Sequence, residues 1–297
     1  MVDVGQPSLD QLRIFLAVVD AGSFNRAAKR LGRAISVISY GIANLEAQLG
    51  VTLFDREGSR RPKLTNAGAA MLAEARAVAD EADALIAKVR GLKQGLEAEL
   101  SLAIDVMMPG NVVACVLRDF QAAFPTVTLR LHVEALGAVA ALVLERRADL
   151  GIAGPVILEH PQLQRQVLGA VELAPVAAPS HPLAQPGVHP PGATRKHLQL
   201  VLTDRSPLTE GRDFSVLSPR SWRLADLGAK HALLKEGIGW GNMPRHAVVE
   251  DLARGELVEL NLSESPPVDY TLAAIWAKDR TLGPAGRWIL STFELAL

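Results

Sequence analysis

The sequence predicts a multidomain protein of α+β and α/β class, with an N-terminal helical module, a long linker helix and a C-terminal two-lobed α/β region. Three observations predict it: short amphipathic helices before residue 50, a proline-free Ala-rich segment, and alternating strand and helix patterns from residue 98. The length of 297 residues, with 49% hydrophobic and 21% charged residues, fits about two domains with buried cores.

The N-terminal module, residues 8–65, is predicted to begin with three short helices. Ser8 and Gln11 form a capping-box pattern before the first helix. A glycine follows each helix, and these are Gly22, Gly32 and Gly50. The third helix, residues 34–49, has apolar side chains at spacings of four, three and four, which predict one buried stripe: Ile38, Ile42, Leu45 and Leu49.

A β-hairpin is predicted next, with strands at 53–56 and 61–65. Its basic side chains are Arg56, Arg60, Arg61 and Lys63. Residues 1–65 have nine Lys and Arg against six Asp and Glu, a balance of +3, whereas the whole chain carries −1. Positive charge confined to one module is typical of a nucleic-acid contact. A basic wing is therefore favoured over an ordinary surface turn, which is the alternative.

Residues 66–97 are predicted to form one long linker helix. Apolar residues recur there at spacings of 3-4-3-4-3, namely Leu72, Ala75, Ala79, Ala82, Ile86 and Val89. This average of 3.5 residues is that of a coiled-coil seam. We expect the helix to dimerise; the alternative is a long helix that lies on its own core.

Residues 98–297 are predicted to form two α/β lobes, about 98–170 with 268–297, and about 171–267. In the first lobe, strands at 100–104, 127–133 and 150–153 alternate with helices from 109 and at 138–147. The second lobe has strands at 173–178, 198–203 and 257–260 and helices at 224–235 and 245–254. A strand at 270–277 and a helix near 285–295 return to the first lobe. Ligands of such folds bind at the carboxyl ends of strands, here between the lobes.

Candidate cleft residues follow from those strand ends. In the first lobe they are Asp105, Met107, Met108, Asn111, Gly137 and Gly154, and in the second Thr203, Asp204, Arg205, Ser206, Trp222, Gly241 and Asn242. Arg205 would pair either with a carboxylate ligand or with Asp204 at the surface. The two methionines would form an adaptable apolar wall or belong to the core, and Trp222 would line the cleft or pack the second lobe.

Several function classes are excluded by missing signals. Cys115 is the single cysteine, so no internal disulfide is possible and a reducing compartment is indicated. The seven histidines form no HxxxH pair, and no GxSxG, Walker, HExxH or CxxC motif occurs. Neither a signal peptide nor a transmembrane stretch is found. We therefore expect a cytoplasmic protein that is not an enzyme, has no metal or cofactor and does not bind a membrane.

Residues 23–68 carry a family resemblance. They contain Ser23-Phe24, Ala27-Ala28, Leu31, Ser39, Ile42, Leu45-Glu46, Leu49-Gly50, Leu53-Phe54, Arg56, Leu64-Thr65 and Gly68. This pattern resembles the winged helix-turn-helix of LysR-type transcriptional regulators. Residues 149–152, 237–239 and 243–244 are similar to landmarks of that family's effector domain. The resemblance implies a winged helix-turn-helix, a linker helix and a periplasmic-binding-protein-like effector domain whose two lobes enclose a small-molecule effector.

The resemblance also implies that residues 34–49 form the DNA recognition helix. The implied DNA-binding residues are Ser23, Arg33, Ile35, Ser36, Ser39, Tyr40, Asn44, Arg56, Arg60, Arg61, Lys63 and Thr65. The sequence departs from the family because Ala34-Ile35 and Tyr40-Gly41 replace polar pairs, so bidentate Arg or Gln readers of bases are missing. Base readout would then depend on hydroxyls, Asn44 and apolar contacts. Tyr40 would otherwise be an exposed residue stacked on a neighbour.

The implied partners are double-stranded DNA, further copies of the chain in a homodimer or homotetramer, a small-molecule effector, and RNA polymerase if the protein activates transcription. Three alternatives stay open. An architectural DNA-binding protein would have no effector, a cytoplasmic solute-binding protein would use the two lobes alone, and an enzyme would perform chemistry between them.

Overall fold

The computed structural model describes residues 5–55, 62–93, 95–157, 159–187, 189–212 and 214–296. The chain divides into two compact units, residues 1–90 and 91–297. The first unit contains α1 (Leu9–Ala21), α2 (Phe24–Leu31), α3 (Ile35–Leu49), β1 (Phe54–Asp55), β2 (Lys63–Leu64) and most of α4 (Asn66–Lys93). The second unit begins near the end of α4.

Local capping and one close helix crossing shape the first unit. The Ser8–Gln11 capping box is confirmed, because Gln11 N donates to Ser8 Oγ at 3.3 Å and Ser8 N to Gln11 Oε1 at 2.7 Å. A Cβ at Gly41 of α3 would lie 2.7 Å from Ile14 Cδ1 of α1. The two helices therefore approach so closely that a side chain at position 41 would displace Ile14. The predicted stripe of α3 is buried in the same core, with Ile38, Ile42 and Leu45 wholly inaccessible.

The long helix α4 starts at a side-chain cap and ends at a left-handed glycine. Thr65 Oγ1 accepts a hydrogen bond from Gly68 N at 3.0 Å and donates to the carbonyl of Thr52 at 2.6 Å. Lys93 is the last helical residue, so the predicted extension to residue 97 was wrong. The reason is Gly95, which has φ +78° and donates its N–H to Leu92 O at 3.0 Å.

The predicted dimer seam of α4 needs correction. Ala75 and Ala79 are buried, and Leu72 packs against the core of the first unit, so this part of the predicted stripe faces its own domain. Four exposed apolar side chains of α4, together with the half-buried Ala82, follow a neighbouring stripe with spacings of 4-3-4-3, and Ile86 of the predicted stripe is exposed beside it. We call it the linker seam, and it consists of Val78, Ala82, Leu85, Val89 and Leu92. Both stripes have the same average period of 3.5 residues.

The second unit is built on one mixed sheet. Its elements are β3 (Glu99–Asp105), α5 (Gly110–Ala123), β4 (Thr128–Glu134), α6 (Gly137–Leu144), β5 (Leu150–Ala153), β6 (Leu163–Ala177), β7 (Gln199–Leu202), β8 (Ser221–Leu224), α7 (Leu227–Lys235), β9 (Trp240–Pro244), α8 (Arg245–Arg254), β10 (Val258–Glu259), β11 (Val268–Ala277) and α9 (Pro284–Ala296). Within the described ranges the strand order is β4-β3-β5-β11-β6-β9-β7-β8, and β10 pairs with β6.

Two long antiparallel strands, β6 and β11, join the two lobes. They pair from Leu163↔Ala277 to Leu173↔Val268. At one end β11 also pairs with β5 of the first lobe, and at the other end β6 pairs with β9 of the second. The sequence predicted only the last part of β6, from residue 173, because Gln164, Arg165 and Gln166 interrupt the apolar pattern before it.

Two predicted helices have different bounds. The helix predicted at 224–235 begins only at Leu227, since Leu224 ends β8 and the carboxylate of Asp226 accepts a hydrogen bond from Ala229 N as an N-cap. The helix predicted at 138–147 is α6, which ends at Leu144. Arg146 then has φ +62°, a left-handed conformation that stops the helix.

Candidate functional site

An exposed face of α3 is the first candidate site. It lies opposite the buried stripe and consists of Ile35, Ser36, Val37, Ser39 and Tyr40, which we call the α3 face. Tyr40 is 68% exposed and Ile35 47%. Ala34, the residue before the helix, provides no side-chain cap, so the N–H groups of Ile35 and Ser36 stay available to an anion, whereas Val37 N donates to Ala34 O at 3.0 Å. Four of the five residues belong to the predicted DNA-binding set. Val37 does not, although it lies between Ile35 and Tyr40 on the same exposed face.

Arg33 is engaged by a carboxylate immediately before α3. Its guanidinium donates to both oxygens of Asp10, with Nη1–Oδ2 at 2.7 Å and Nη2–Oδ1 at 2.8 Å. These hydrogen bonds hold the pKa of Asp10 below its usual range. Because the charge of Arg33 is offset by Asp10, any phosphate contact by Arg33 would have to share or replace this bidentate pair.

The other predicted DNA-binding residues have separate places. Ser23 caps α2, accepting a hydrogen bond from Arg26 N at 3.5 Å, and Thr65 caps α4. Lys63 is exposed on β2, opposite Asp55 in the hairpin register, and Asn44 is half-buried on α3. The remaining three lie outside the described residues: Arg56, Arg60 and Arg61.

In the second unit, Asp105 joins three strand-end segments instead of lining a cleft. Its carboxylate accepts hydrogen bonds from Met107 N at 2.9 Å, Gly154 N at 3.3 Å and the hydroxyl of Tyr270 at 2.8 Å. Burial raises the pKa of Asp105 to about 6, and these hydrogen bonds oppose that rise. A Cβ at Gly154 would lie 1.8 Å from the Tyr270 hydroxyl, so glycine is required for the close approach. Asp105 and Gly154 are therefore positioning residues.

A cavity of about 240 Å³ lies between the lobes, and we call it the inner cavity. Of the predicted residues, only Met107 and Asn242 line it. Most of its wall is apolar, from Met107, Leu136, Pro155, Val156, Leu173, Leu200, Val201, Leu202, Phe214 and Val268. Its polar residues are Gln199, Ser215, Lys230, Asn242, Asp269 and Tyr270.

Lys230 is the cation of the inner cavity and was missed by the sequence analysis. It lies on α7 and is only 3% exposed, and its Nζ donates to the main-chain carbonyl of Asn242 at 2.6 Å. Burial lowers its pKa to about 8. A sequence signal was present, because Lys230 occupies a position on the buried stripe between Leu227 and Leu234. Lysine is rarely fully buried in proteins, so a lysine on the buried stripe of a helix marks a candidate binding residue.

The predicted loop 203–206 lines a second, more open pocket of about 610 Å³. Arg205 is exposed there, outside the inner cavity. Two of the loop's polar groups make local contacts. Asp204 accepts a hydrogen bond from the Thr209 hydroxyl, and Ser206 Oγ accepts one from Leu208 N at 3.1 Å. Thr203 also lines this outer pocket.

Five other predicted cleft residues lie away from both pockets. Met108 belongs to the buried core, Asn111 is exposed on α5, and Trp222 on β8 is 52% exposed. Gly137 and Gly241 are buried backbone positions. Trp222 lies within β8, where successive side chains point to opposite faces of the sheet, whereas Asn111 and Gly137 lie in the helices that follow strand ends. The sequence alone does not show which of these residues point toward the cavity.

The two sites define a class of protein: an N-terminal helix-turn-helix unit with an exposed recognition face, followed by a two-lobed domain that encloses a ligand-sized cavity. Such a protein is a ligand-responsive DNA-binding transcriptional regulator. Residues 9–69 match the family model for the bacterial regulatory helix-turn-helix protein of the lysR family, and residues 93–295 match the model for the LysR substrate binding domain. The chain belongs to the LysR family of DNA-binding transcriptional regulators, which have an effector-binding domain.

Curated relatives and solved structures agree with this assignment. The probable regulator YhaJ of Escherichia coli K12 is 29% identical over 287 residues, 95% of this chain and 94% of its own. PunR of the same organism is 29% identical over 282 residues, 93% and 90%. These relatives are named transcriptional regulators, as expected for a chain that is not an enzyme.

Among solved structures, a Corynebacterium glutamicum OxyR C206 mutant has a TM-score of 0.55 at 20% identity, covering 98% of this chain and 93% of that one. LysG of the same organism with bound effector Arg has a TM-score of 0.51 at 19% identity, covering 97% of both. At such identities the likeness shows the fold, which confirms the predicted class. No helix in the described part of the chain has the length and apolarity to cross a membrane.

Proposed function

We propose that this regulator binds double-stranded DNA through the α3 face and the basic hairpin. The exposed α3 face beside an uncapped helix start carries the proposal. A helix presented in this way fits the major groove, and its first-turn N–H groups fit a phosphate. Lys63 on β2 would add a phosphate contact, and the sequence offers three further cations close to it along the chain: Arg56, Arg60 and Arg61.

Base readout on this face uses hydroxyls and apolar side chains. Residues 35–44 of α3 contain no Arg, Lys or Gln, and Asn44, the remaining side chain of the kind that reads adenine in bidentate fashion, is half-buried. Ile35 and Val37 suit thymine methyl groups, whereas Ser36 and Ser39 suit either base edges or phosphates. Specificity per half-site is therefore modest, and we expect affinity to depend on two or more copies binding together.

The linker seam supports a homodimer as the DNA-binding species, because its five apolar side chains repeat in coiled-coil spacing on a described helix surface. A tetramer made from two dimers is the further assembly we propose, in the cytoplasm, with RNA polymerase as a partner if the protein activates transcription. The effector binds in the inner cavity, whose wall residues come from both lobes. Binding there would therefore favour a conformation in which the two lobes are closed around the effector.

Selection of bound sequences from a random DNA pool tests the proposal. The full chain is expected to enrich a site with two similar half-sites, and Tyr40→Ala is expected to change the preferred bases. Arg118→Ala, a charge change in the second unit, serves as the control and should enrich the same site. Enrichment of no sequence, or identical preferences for the Tyr40 variant, would reject the α3 face as the reader.

A further inference from the structure

The size and the wall of the inner cavity limit its ligand. At roughly 30 Å³ per water in the liquid, its volume of about 240 Å³ corresponds to about eight waters. That volume is below the usual range for drug-sized ligands. The wall is formed mainly by aliphatic side chains, with Phe214 as its aromatic ring. A ligand whose apolar body is one six-membered ring with a short substituent, or a branched chain of similar volume, fits this space.

Two of the polar residues in the wall are committed to the protein. The amide of Gln199 donates to the carbonyl of Ser215 at 2.8 Å, and its Oε1 accepts hydrogen bonds from the N–H groups of Leu217 and Ser218. The hydroxyl of Tyr270 donates to Asp105. Because these hydrogen bonds are made within the protein, neither side chain needs a ligand group as a hydrogen-bond partner.

Lys230 differs from them because its charge is not matched. An ammonium has three N–H donors, and one of them is used by the Asn242 carbonyl. Within the described ranges, no carboxylate lies within ion-pair distance of Lys230, whereas Lys235 on the same helix pairs with both Asp251 and Glu256. A buried cation without a counter-ion is costly, and an anion that enters the cavity offsets that cost.

Asp269 limits the number of negative charges on the ligand. It is exposed and lines the same cavity, and it forms no ion pair with Lys230 in the part of the chain that the structure describes. A second carboxylate on the ligand would lie in a small cavity that already contains this negative charge. One carboxylate is favoured by Lys230, and a second is opposed by Asp269.

We propose that the inner cavity binds a small monocarboxylic acid with an apolar body, and that Lys230 is its counter-ion. This inference rests on the proposed function, in which the inner cavity is the effector site. The carboxylate binds the amine of the second lobe, and the apolar body contacts Met107, Leu136 and Val156 from the first. Because one ligand then contacts both lobes, its binding favours the conformation in which the lobes are closed around it.

The protonation of Lys230 gives the binding a pH dependence. Burial lowers the pKa of its amine to about 8, so the amine is mainly charged at pH 7 and mainly neutral at pH 9. Among the described residues, the charged and titratable side chains that face the cavity beside it are Asp269 and Tyr270, with Asp105 behind Tyr270. The affinity for a carboxylate is therefore expected to fall about tenfold between pH 7 and pH 9.

Isothermal titration of the full chain tests the proposal, with benzoate and 3-methylbutanoate as probes. Benzamide, which has the same shape without the charge, and succinate, which has two carboxylates, are the matched comparisons. Both monocarboxylates are expected to bind at least tenfold more tightly than benzamide and succinate. Equal affinities for benzoate and benzamide, or no binding of either acid at millimolar concentration, would overturn the proposal.

Two variants separate the role of Lys230 in the inner cavity from that of Arg205 in the outer pocket. Lys230→Met keeps an unbranched side chain, one heavy atom shorter, and removes its charge, and we expect it to lose at least tenfold in benzoate affinity. Arg205→Ala removes one exposed cation of the outer pocket, which Arg147 also lines, and should keep benzoate affinity within twofold. Circular dichroism establishes that each variant is folded. A folded Lys230→Met that retains benzoate affinity would refute the assignment.

A DNA mobility-shift measurement on the same preparation distinguishes the two levels of failure. If the chain binds its selected DNA but no monocarboxylate, the ligand class is wrong and the regulator proposal stands. If the chain binds no DNA sequence selectively, the proposed function itself fails, whatever binds in the cavity.

Discussion

Leu85 on the linker seam offers a direct test of the proposed homodimer. Leu85 is 63% exposed, and complete burial of a leucine contributes roughly 1.5–3 kcal/mol. If a dimer buries the remaining surface of Leu85 on both chains, that residue alone contributes about 2–4 kcal/mol to association. Leu85→Glu removes this contribution and places two negative charges at the interface. We expect the dimer dissociation constant to rise at least about 30-fold, since 1.4 kcal/mol is a factor of ten.

Sedimentation velocity over a concentration series measures this constant. Ala87→Glu provides the matched control, because position 87 lies about 200° around the helix from position 85 and is also exposed. The control should dimerise as the unaltered chain does. If Leu85→Glu has an unchanged dissociation constant while Ala87→Glu weakens the dimer, the seam lies on another face of α4 and the reasoning is refuted.

Two further predictions concern the second unit. Lys230→Met should raise the free energy of unfolding at pH 7 by up to about 3 kcal/mol, because the folded-state pKa of about 8 lies below the ordinary 10.5. Between pH 8 and pH 10.5 the unfolded chain binds more protons than the folded chain, so the free energy of unfolding of the unaltered chain rises with pH there. Urea titrations that show no such rise, or a Lys230→Met variant that is less stable than the unaltered chain, would contradict this prediction. Gly154→Ala would bring a Cβ to 1.8 Å from the Tyr270 hydroxyl and should cost about 1–3 kcal/mol by urea denaturation, whereas Gly110→Ala, whose Cβ meets no atom within 4 Å, should cost less.

Local interactions explain what could be predicted from the sequence. The start of α1 depends on two side chains three residues apart, Ser8 and Gln11, and its end on Gly22 with φ +60°. The stripe of α3 follows from periodicity alone. Such signals lie within a few residues of the structure they determine, so one chain is enough to reveal them.

Other features could not be predicted from the sequence, because they depend on packing between segments far apart in the chain. Two stripes of α4 fit a period of 3.5 residues, and only the fold shows that Ala75 and Ala79 of the predicted stripe are buried while Val78 and Leu85 of the other are exposed. The first half of β6 has a polar sequence because most of its side chains are exposed, and its strand structure comes from pairing with β11, about a hundred residues later. The helical stripe of α7 indicates that Lys230 is buried, but only the packing of α7 beside β9 shows that its amine meets the carbonyl of Asn242 at the cavity.

The most direct test of the central claim, that this regulator binds DNA through the α3 face and the hairpin, is a mobility-shift titration of its selected DNA over a range of salt concentrations. Ser39→Ala is expected to weaken binding. Lys63→Ala should do so too and reduce the salt slope by about 0.9 for one lost phosphate contact. Arg118→Ala, which removes the same charge in the second unit, should leave affinity and slope unchanged. Equal affinities and equal slopes for all three variants would contradict the account.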